Sequence, residues 1–246
     1  MKKSTKLTIA IVALFAAAAV LIGFGGVGVA RAAANYQSNE YVAQVQMKEV
    51  GVTLSENGTV IDDGGELLTN LIPAEEKFQT NKAYSEVLTF ANAGTINEYI
   101  RVVVDIFWMN ADGTKNTELQ PSMIGMGLNE GNDWVSDLEG AGWIVDPASS
   151  YLNGGEQMIL YYSQPVAPGD STPAISNFLK IDGKVATAVE QTSADGVVTT
   201  TYKYDGVKFG ITAEADAVQT HNAQDAILSA WGVSVNAAED GTLTLN

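Results

Sequence analysis

The sequence predicts an all-β fold, an antiparallel jelly-roll-like β-sandwich with a short C-terminal helix. Three observations predict it. Roughly eight to ten short segments alternate apolar and polar residues with the two-residue period of a half-buried strand. Clusters of Gly, Pro, Asn and Asp punctuate them at short intervals. Helical spacing is confined to one stretch near the end of the chain, so the pattern is that of a sandwich rather than a mixed fold.

The first 34 residues carry no acid and open on Lys2, Lys3 and Lys6, followed by an apolar run from Leu7 to about Ala30. That is the layout of an export signal. The run is long enough to cross a bilayer, so an uncleaved anchor is the one route by which the chain would meet a membrane. The small-x-small stretch Ala30-Arg31-Ala32 points to cleavage after Ala32, with Ala33 as the first mature residue. The expected organisation is therefore a leader over 1–32, an extended N-terminal segment over 33–54 and a single sandwich domain over 55–246.

In YVAQVQMKEVGVTL, Tyr41, Ala43, Val45 and Met47 alternate with polar neighbours, and after Lys48-Glu49 the apolar set moves to Val50, Val52 and Leu54. A shift of one residue is what a bulge or a break between two strands produces. ENGTVIDDGGE then reads as turns, with Asn57 opening an Asn-Gly-Thr tripeptide that fits a glycosylation acceptor, and a strand follows around Glu86 to Ala91. IRVVVDIFW, Ile100 to Trp108, is apolar on both faces and reads as a central strand. Pro121 to Gly155 has weak periodicity and reads as a long connection. Strands resume at QMILYYSQPV, ISNFLKI, KVATAVEQT and VVTTTYKY, the first closed by PGDSTP at Pro168 to Pro173.

VKFGITAEADAV alternates cleanly, placing Glu214 and Asp216 on the solvent side of a strand. NAQDAILSAWG then has helical spacing, with Ala223, Ala226, Ile227, Ala230 and Trp231 on one face, Asn222 as N-cap and Gly232 as stop. The expected role of that apolar stripe is to plug one end of the sandwich. His221 falls just before the cap, outside the helix.

Composition excludes several function classes. Removing Lys2, Lys3, Lys6 and Arg31 from 13 basic residues leaves nine against 29 acids, a mature net charge of −20. Such a polyanion is a poor binder of nucleic acid or of an anionic membrane. With no Cys there is no disulfide framework, thiolate metal site or cysteine nucleophile. Glu214, Asp216, His221 and Asp225 are the natural candidates for a metal site, yet one His supplies too few nitrogen ligands for zinc, and neither HExxH nor an EF-hand loop occurs. No GxSxG marks a nucleophile elbow. The expectation is a protein without cofactor, metal or catalytic residues.

Four stretches carry a resemblance: GVGVARAAANYQSNEYVAQVQMKEVGVTLSENG, NAGTINEYIRVVVDIFW, YYSQPVAPGDSTPAI and GITAEADAVQTHNAQDAILSAWG. In them the chain resembles the TasA/camelysin-type family of secreted Gram-positive proteins, which are processed by a SipW-type signal peptidase. The resemblance implies a jelly-roll sandwich, secretion to the extracellular matrix or cell surface, and self-association into biofilm matrix fibres in which the N-terminal strand of one subunit completes the sheet of the next. Mapped here, the donor is Ala33 to about Leu54, with Tyr41, Ala43, Val45, Met47, Val50, Val52 and Leu54 as its inward set. Some relatives are described as metallopeptidases, but the absent HExxH helix gives that activity no support in this chain. The leading expectation is a non-catalytic fibre subunit. The alternative is a monomeric secreted or cell-surface module that binds a glycan or a protein through exposed aromatics, and a hydrolase ranks last.

Overall fold

A computed structural model describes residues 49–69, 71–72, 75–194 and 197–246. The elements from the N-terminal side are β1 (Val52–Glu56), β2 (Thr59–Ile61), β3 (Ala83–Asn92), β4 (Glu98–Met109), β5 (Lys115–Asn116) and β6 (Ile124–Gly127). Helix α1 (Trp134–Gly140), β7 (Trp143–Val145), β8 (Gln157–Tyr162) and β9 (Ser176–Ile181) follow. The chain then forms β10 (Val189–Ala194), β11 (Val197–Tyr202), β12 (Lys208–Gln219), helix α2 (Ala223–Trp231), β13 (Val235–Ala237) and β14 (Leu243–Leu245).

Two antiparallel sheets make the expected sandwich. One runs in the order β2-β1-β3-β9-β6, the other β12-β4-β8-β7 with β5 appended to β4. The alternation in β4 explains its place. Ile100, Val102, Val104, Ile106 and Trp108 are all at most 4% exposed and point into the layer between the sheets. They meet Leu88 and Phe90 from β3, Leu179 from β9 and Ile211 from β12 in one apolar cluster. β4 is paired along its whole length to β12, from Glu98↔Gln219 to Met109↔Lys208, and on its other side to β8. It is the central strand that its two apolar faces predict.

The stretch from Pro121 to Gly155 departs from expectation. Instead of a connection it holds a 3-10 turn, β6, α1, β7 and a second 3-10 turn at Ser150–Asn153. Each element is shorter than the window over which hydrophobic periodicity becomes readable. What orders them is tertiary: Trp134 and Trp143 are buried, and the Trp134 indole donates to the Ile175 carbonyl at 2.7 Å. KVATAVEQT differs too, since Gly183–Ala186 is a 3-10 turn and the strand starts only at Val189. β10 and β11 pair with each other alone, as a ribbon separate from both large sheets.

Helix α2 also sits elsewhere than expected. Tyr99, Tyr161 and Val218 have the opposite parity to the inward rows of β4, β8 and β12, so they face outward, and α2 packs on them through Ala223, Ile227 and Trp231. The helix thus covers the outer face of the second sheet rather than plugging an end of the sandwich. A small, apolar stripe can dock on either surface, and the outward aromatics decide between them. Asn222 occupies the predicted cap position, but with φ of 51° its side chain makes no capping hydrogen bond. Gly232, at φ of 74°, ends the helix as predicted, its N–H donating to the Leu228 carbonyl.

Candidate functional site

The feature of this fold with the clearest binding chemistry is a sheet edge that no described strand covers. Among the described residues β12 pairs with β4 only, so a twelve-residue strand presents its other edge without a strand partner. At about 3.4 Å per residue that edge is about 40 Å long. Such an edge is a row of free N–H and C=O groups, a template for another chain. Lys208, Thr212 and Glu214 lie exposed along its outer side, which is how edges are commonly kept from uncontrolled pairing.

The chain enters the fold close to one end of this edge. The Glu49 carbonyl accepts from Thr95 N–H at 2.9 Å, the Gly51 carbonyl accepts from Ala93 N–H at 2.8 Å, and Gly51 N–H donates to Glu98 Oε2 at 3.2 Å. Glu98 is itself paired with Gln219, the last residue of β12. β1 then crosses to the first sheet while lying against β12 across the core. Gly51 is therefore tied to β4 at the end where β4 pairs with the last residue of β12.

β1 itself has one full-length neighbour. It pairs with β3 from Val52↔Asn92 to Glu56↔Leu88, whereas β2 covers only Leu54 to Glu56. Asn57 and Gly58, at φ of 49° and 80°, form the tight turn between β1 and β2. The Asn57 side chain is fully engaged there: its amide donates to the Ser85 carbonyl, and its Oδ1 accepts from Ser85 Oγ at 2.9 Å and Val87 N–H at 3.1 Å. A glycan on Asn57 would have to break that set.

Three glutamates line the inner side of this corner. Glu56 shares the inward row of β1 with Val52 and Leu54, Glu86 shares that of β3 with Tyr84 and Leu88, and Glu98 shares that of β4 with Ile100. They are 7%, 0% and 0% exposed, so all three carboxyls are withdrawn from water. Glu56 Oε1 accepts from Leu68 N–H at 2.6 Å. Neither oxygen of Glu86 meets a hydrogen-bond donor among the described residues, so its one companion is the neighbouring Glu56 carboxyl. Burial, reinforced by Glu56, pushes the Glu86 carboxyl up to about 8. Burial also raises Glu98 to about 7, against the lowering effect of Gly51 N–H. Burial and the neighbouring Glu56 both favour the protonated form of Glu86.

The residues singled out in the sequence are placed as follows. Ala30, Ala32, Ala33, Tyr41, Ala43, Val45 and Met47 lie outside the described residues. Val52 and Leu54 form part of β1, and Val50 packs beside them on the core. Glu214 is exposed on β12, and Asp216 pairs with Arg101, whose Nε donates at 3.1 Å while its guanidinium lies 5.7 Å from the Trp231 ring centre. His221 and Asp225 are exposed on either side of the start of α2. These four do not converge, and no group of three or more His, Asp or Glu suited to a metal occurs among the described residues. Trp108, Trp134, Trp143 and Trp231 are all at most 9% exposed, so none offers a flat surface for stacking a sugar. No described helix is long and apolar enough to cross a membrane.

Glu56, Glu86 and Glu98 escaped the sequence reading, although a signal was there. Each stands in phase with the apolar residues of its strand, where a charge has no place unless it is paired or neutralised. No protein-family model matches the chain, and no curated protein matches it.

Proposed function

We propose that this chain is a secreted, non-catalytic structural protein, a subunit of an extracellular or biofilm-matrix filament that assembles when the N-terminal segment of one copy pairs with a sheet edge of another. The observation that supports it most is the open edge of β12 beside the point where that segment enters the fold. Residues 33–48, fully extended, reach about 50 Å, enough to run the length of that edge.

A segment tethered at Glu49 has two uses. It folds back along its own β12, or it leaves and occupies the edge of a neighbour. The second is a head-to-tail contact that does not close, and such contacts propagate into filaments. While the apolar leader is attached the segment is anchored at its far end, so processing by a SipW-type peptidase acts as the trigger. The resemblance to TasA/camelysin-type proteins points the same way. Val50, Val52 and Leu54 complete the donor in that reading, which requires β1 to exchange its own β3 partner for a neighbour's.

The test is deletion of 33–47 from the secreted chain, followed by negative-stain microscopy and light scattering. Filaments are expected from the intact mature chain and monomers from the deletion. Fibres that persist in the deletion would refute strand exchange, and a full-length monomer that binds glycans would favour the binding-module reading.

A further inference from the structure

The inward glutamates all bear on one strand. Glu98 receives the Gly51 N–H at the start of β1, Glu56 ends β1, and Glu86 faces Glu56 from β3. The geometry points to a proton-operated clasp: a proton shared between the Glu86 and Glu56 carboxyls holds β1 and the loop behind it in the sandwich, and loss of that proton, together with the buried charge that an ionised Glu98 would carry, opens that side of the fold. This is a property of a single chain, and it stands whether or not copies assemble.

The clasp has two ends. At one, Glu86 when protonated is a donor beside the Glu56 carboxyl, which in turn accepts from Leu68 N–H at 2.6 Å. Leu68 sits at φ of 67°, a conformation that a leucine adopts only when something holds it there. Glu56 is thus a tether for the loop after β2, whose Leu67, Leu68 and Leu71 pack onto the core. At the other end Glu98 holds Gly51 through one oxygen, while its second oxygen has no hydrogen-bond partner among the described residues.

Among the described residues, the surroundings leave the charges no compensation. Against Glu86, β1 contributes Glu56, the β9 residues nearest in register are Phe178 and Ser176, and the inward rows of β4 and β12 from Ile100 to Trp108 and Phe209 to Ala217 are apolar. Asp62, Asp63, Glu66, Glu75, Glu76 and Lys77 of the covering loop are all exposed, and Lys82 is paired with Glu76. Against Glu98 stand the Gly51 N–H and the side chain of Asn92, whose amide is given to the Ile96 and Val166 carbonyls; Glu49 nearby is exposed, and Arg101 lies on the outer face with Asp216. An ionised Glu86 beside the Glu56 carboxyl therefore meets no counter-charge among the described residues. The soft direction is outward through β1 and β2, because β2 is only three residues long and β1 has a single full-length partner. β3 and β4 are each paired on both sides and stay.

The experiment follows amide hydrogen exchange in the purified chain from pH 5 to pH 9, expressed as protection relative to the intrinsic rate at each pH. Protection at Val52–Glu56 and Leu68 is expected to fall at least tenfold across that range, while amides of β4 and β8 keep theirs. Glu86→Gln keeps a neutral donor toward Glu56 and is expected to abolish the fall at Glu56 and Leu68; Glu98→Gln is expected to do so near Gly51. Equal pH dependence in parent and variants, or a parallel fall in β4, would overturn the clasp. Carbon-13 NMR of the glutamate carboxyls in the unmodified chain gives a reading that needs no variant: two carboxyls titrating above pH 6 are expected, and all of them titrating below about 5.5 would overturn it.

Discussion

Replacing Trp231 with Ala tests whether α2 belongs to the cooperative fold or rests on it. The indole is 9% exposed, lies 5.6 Å from the Tyr161 ring at a 38° tilt, and carries the Arg101 guanidinium over its face at 5.7 Å. Truncating a buried tryptophan to alanine costs about 3–5 kcal/mol. The lost contact with Arg101 adds about 0.5–1 kcal/mol at this partly exposed site. The helix is only nine residues long and has no side-chain cap hydrogen bond, so little local energy resists its release. The expected loss is about 4 kcal/mol, a shift of about 1 M in the guanidinium midpoint for a chain of this size. Leu228→Ala, on the exposed side of the same helix at 50% exposure, is the control and is expected within about 0.5 kcal/mol of the parent. Chemical denaturation followed by circular dichroism measures both. A Trp231→Ala loss below about 1 kcal/mol, or equal losses in the two variants, would refute the docking argument.

The remaining predictions address charge, turns and assembly. Glu86 and Glu98 have folded-state values of about 8 and 7, above the ordinary carboxyl value, so their contribution is whole below about pH 4.5 and is lost as pH rises through neutrality. Asp112, Asp137 and Asp240 are held below the usual carboxylate range by hydrogen bonds from Thr114, from Asn129 and Asn132, and from Thr242, so their contribution is lost only as pH falls below about 4. Thermal melts against pH are therefore expected to peak on the acid side of neutrality, and a maximum above pH 7 would contradict both assignments. Asp133 accepts from Ser136 N–H at 2.9 Å as the cap of α1, and Asp133→Ala is expected to cost about 1 kcal/mol in a denaturation curve. Asn57→Ala removes both hydrogen bonds accepted from β3 and a residue suited to positive φ, and is expected to cost about 1–2 kcal/mol. In the proposed assembly, the charge of −20 that cleavage after Ala32 would leave opposes close stacking of copies, so filament growth followed by light scattering is expected to rise with added salt, divalent cations or mild acid.

Side-chain period is a local property of the backbone, so the sequence by itself determined the strands of β3, β4, β8 and β12, the single C-terminal helix and its glycine stop. It even placed Glu86 and Glu98 in phase with their apolar neighbours, the mark of inward carboxyls. The short elements between Pro121 and Gly155 were not legible, because three- to seven-residue pieces are ordered by the tryptophans they bury rather than by their own pattern. Nor were the partners of the strands that pair over long stretches of sequence. That no other described strand pairs with β12, that α2 lies on outward tyrosines, and that three glutamates from three strands lie around β1 are facts of long-range pairing. Tertiary structure decided them, since a two-residue alternation says which way a side chain faces and nothing about what waits there.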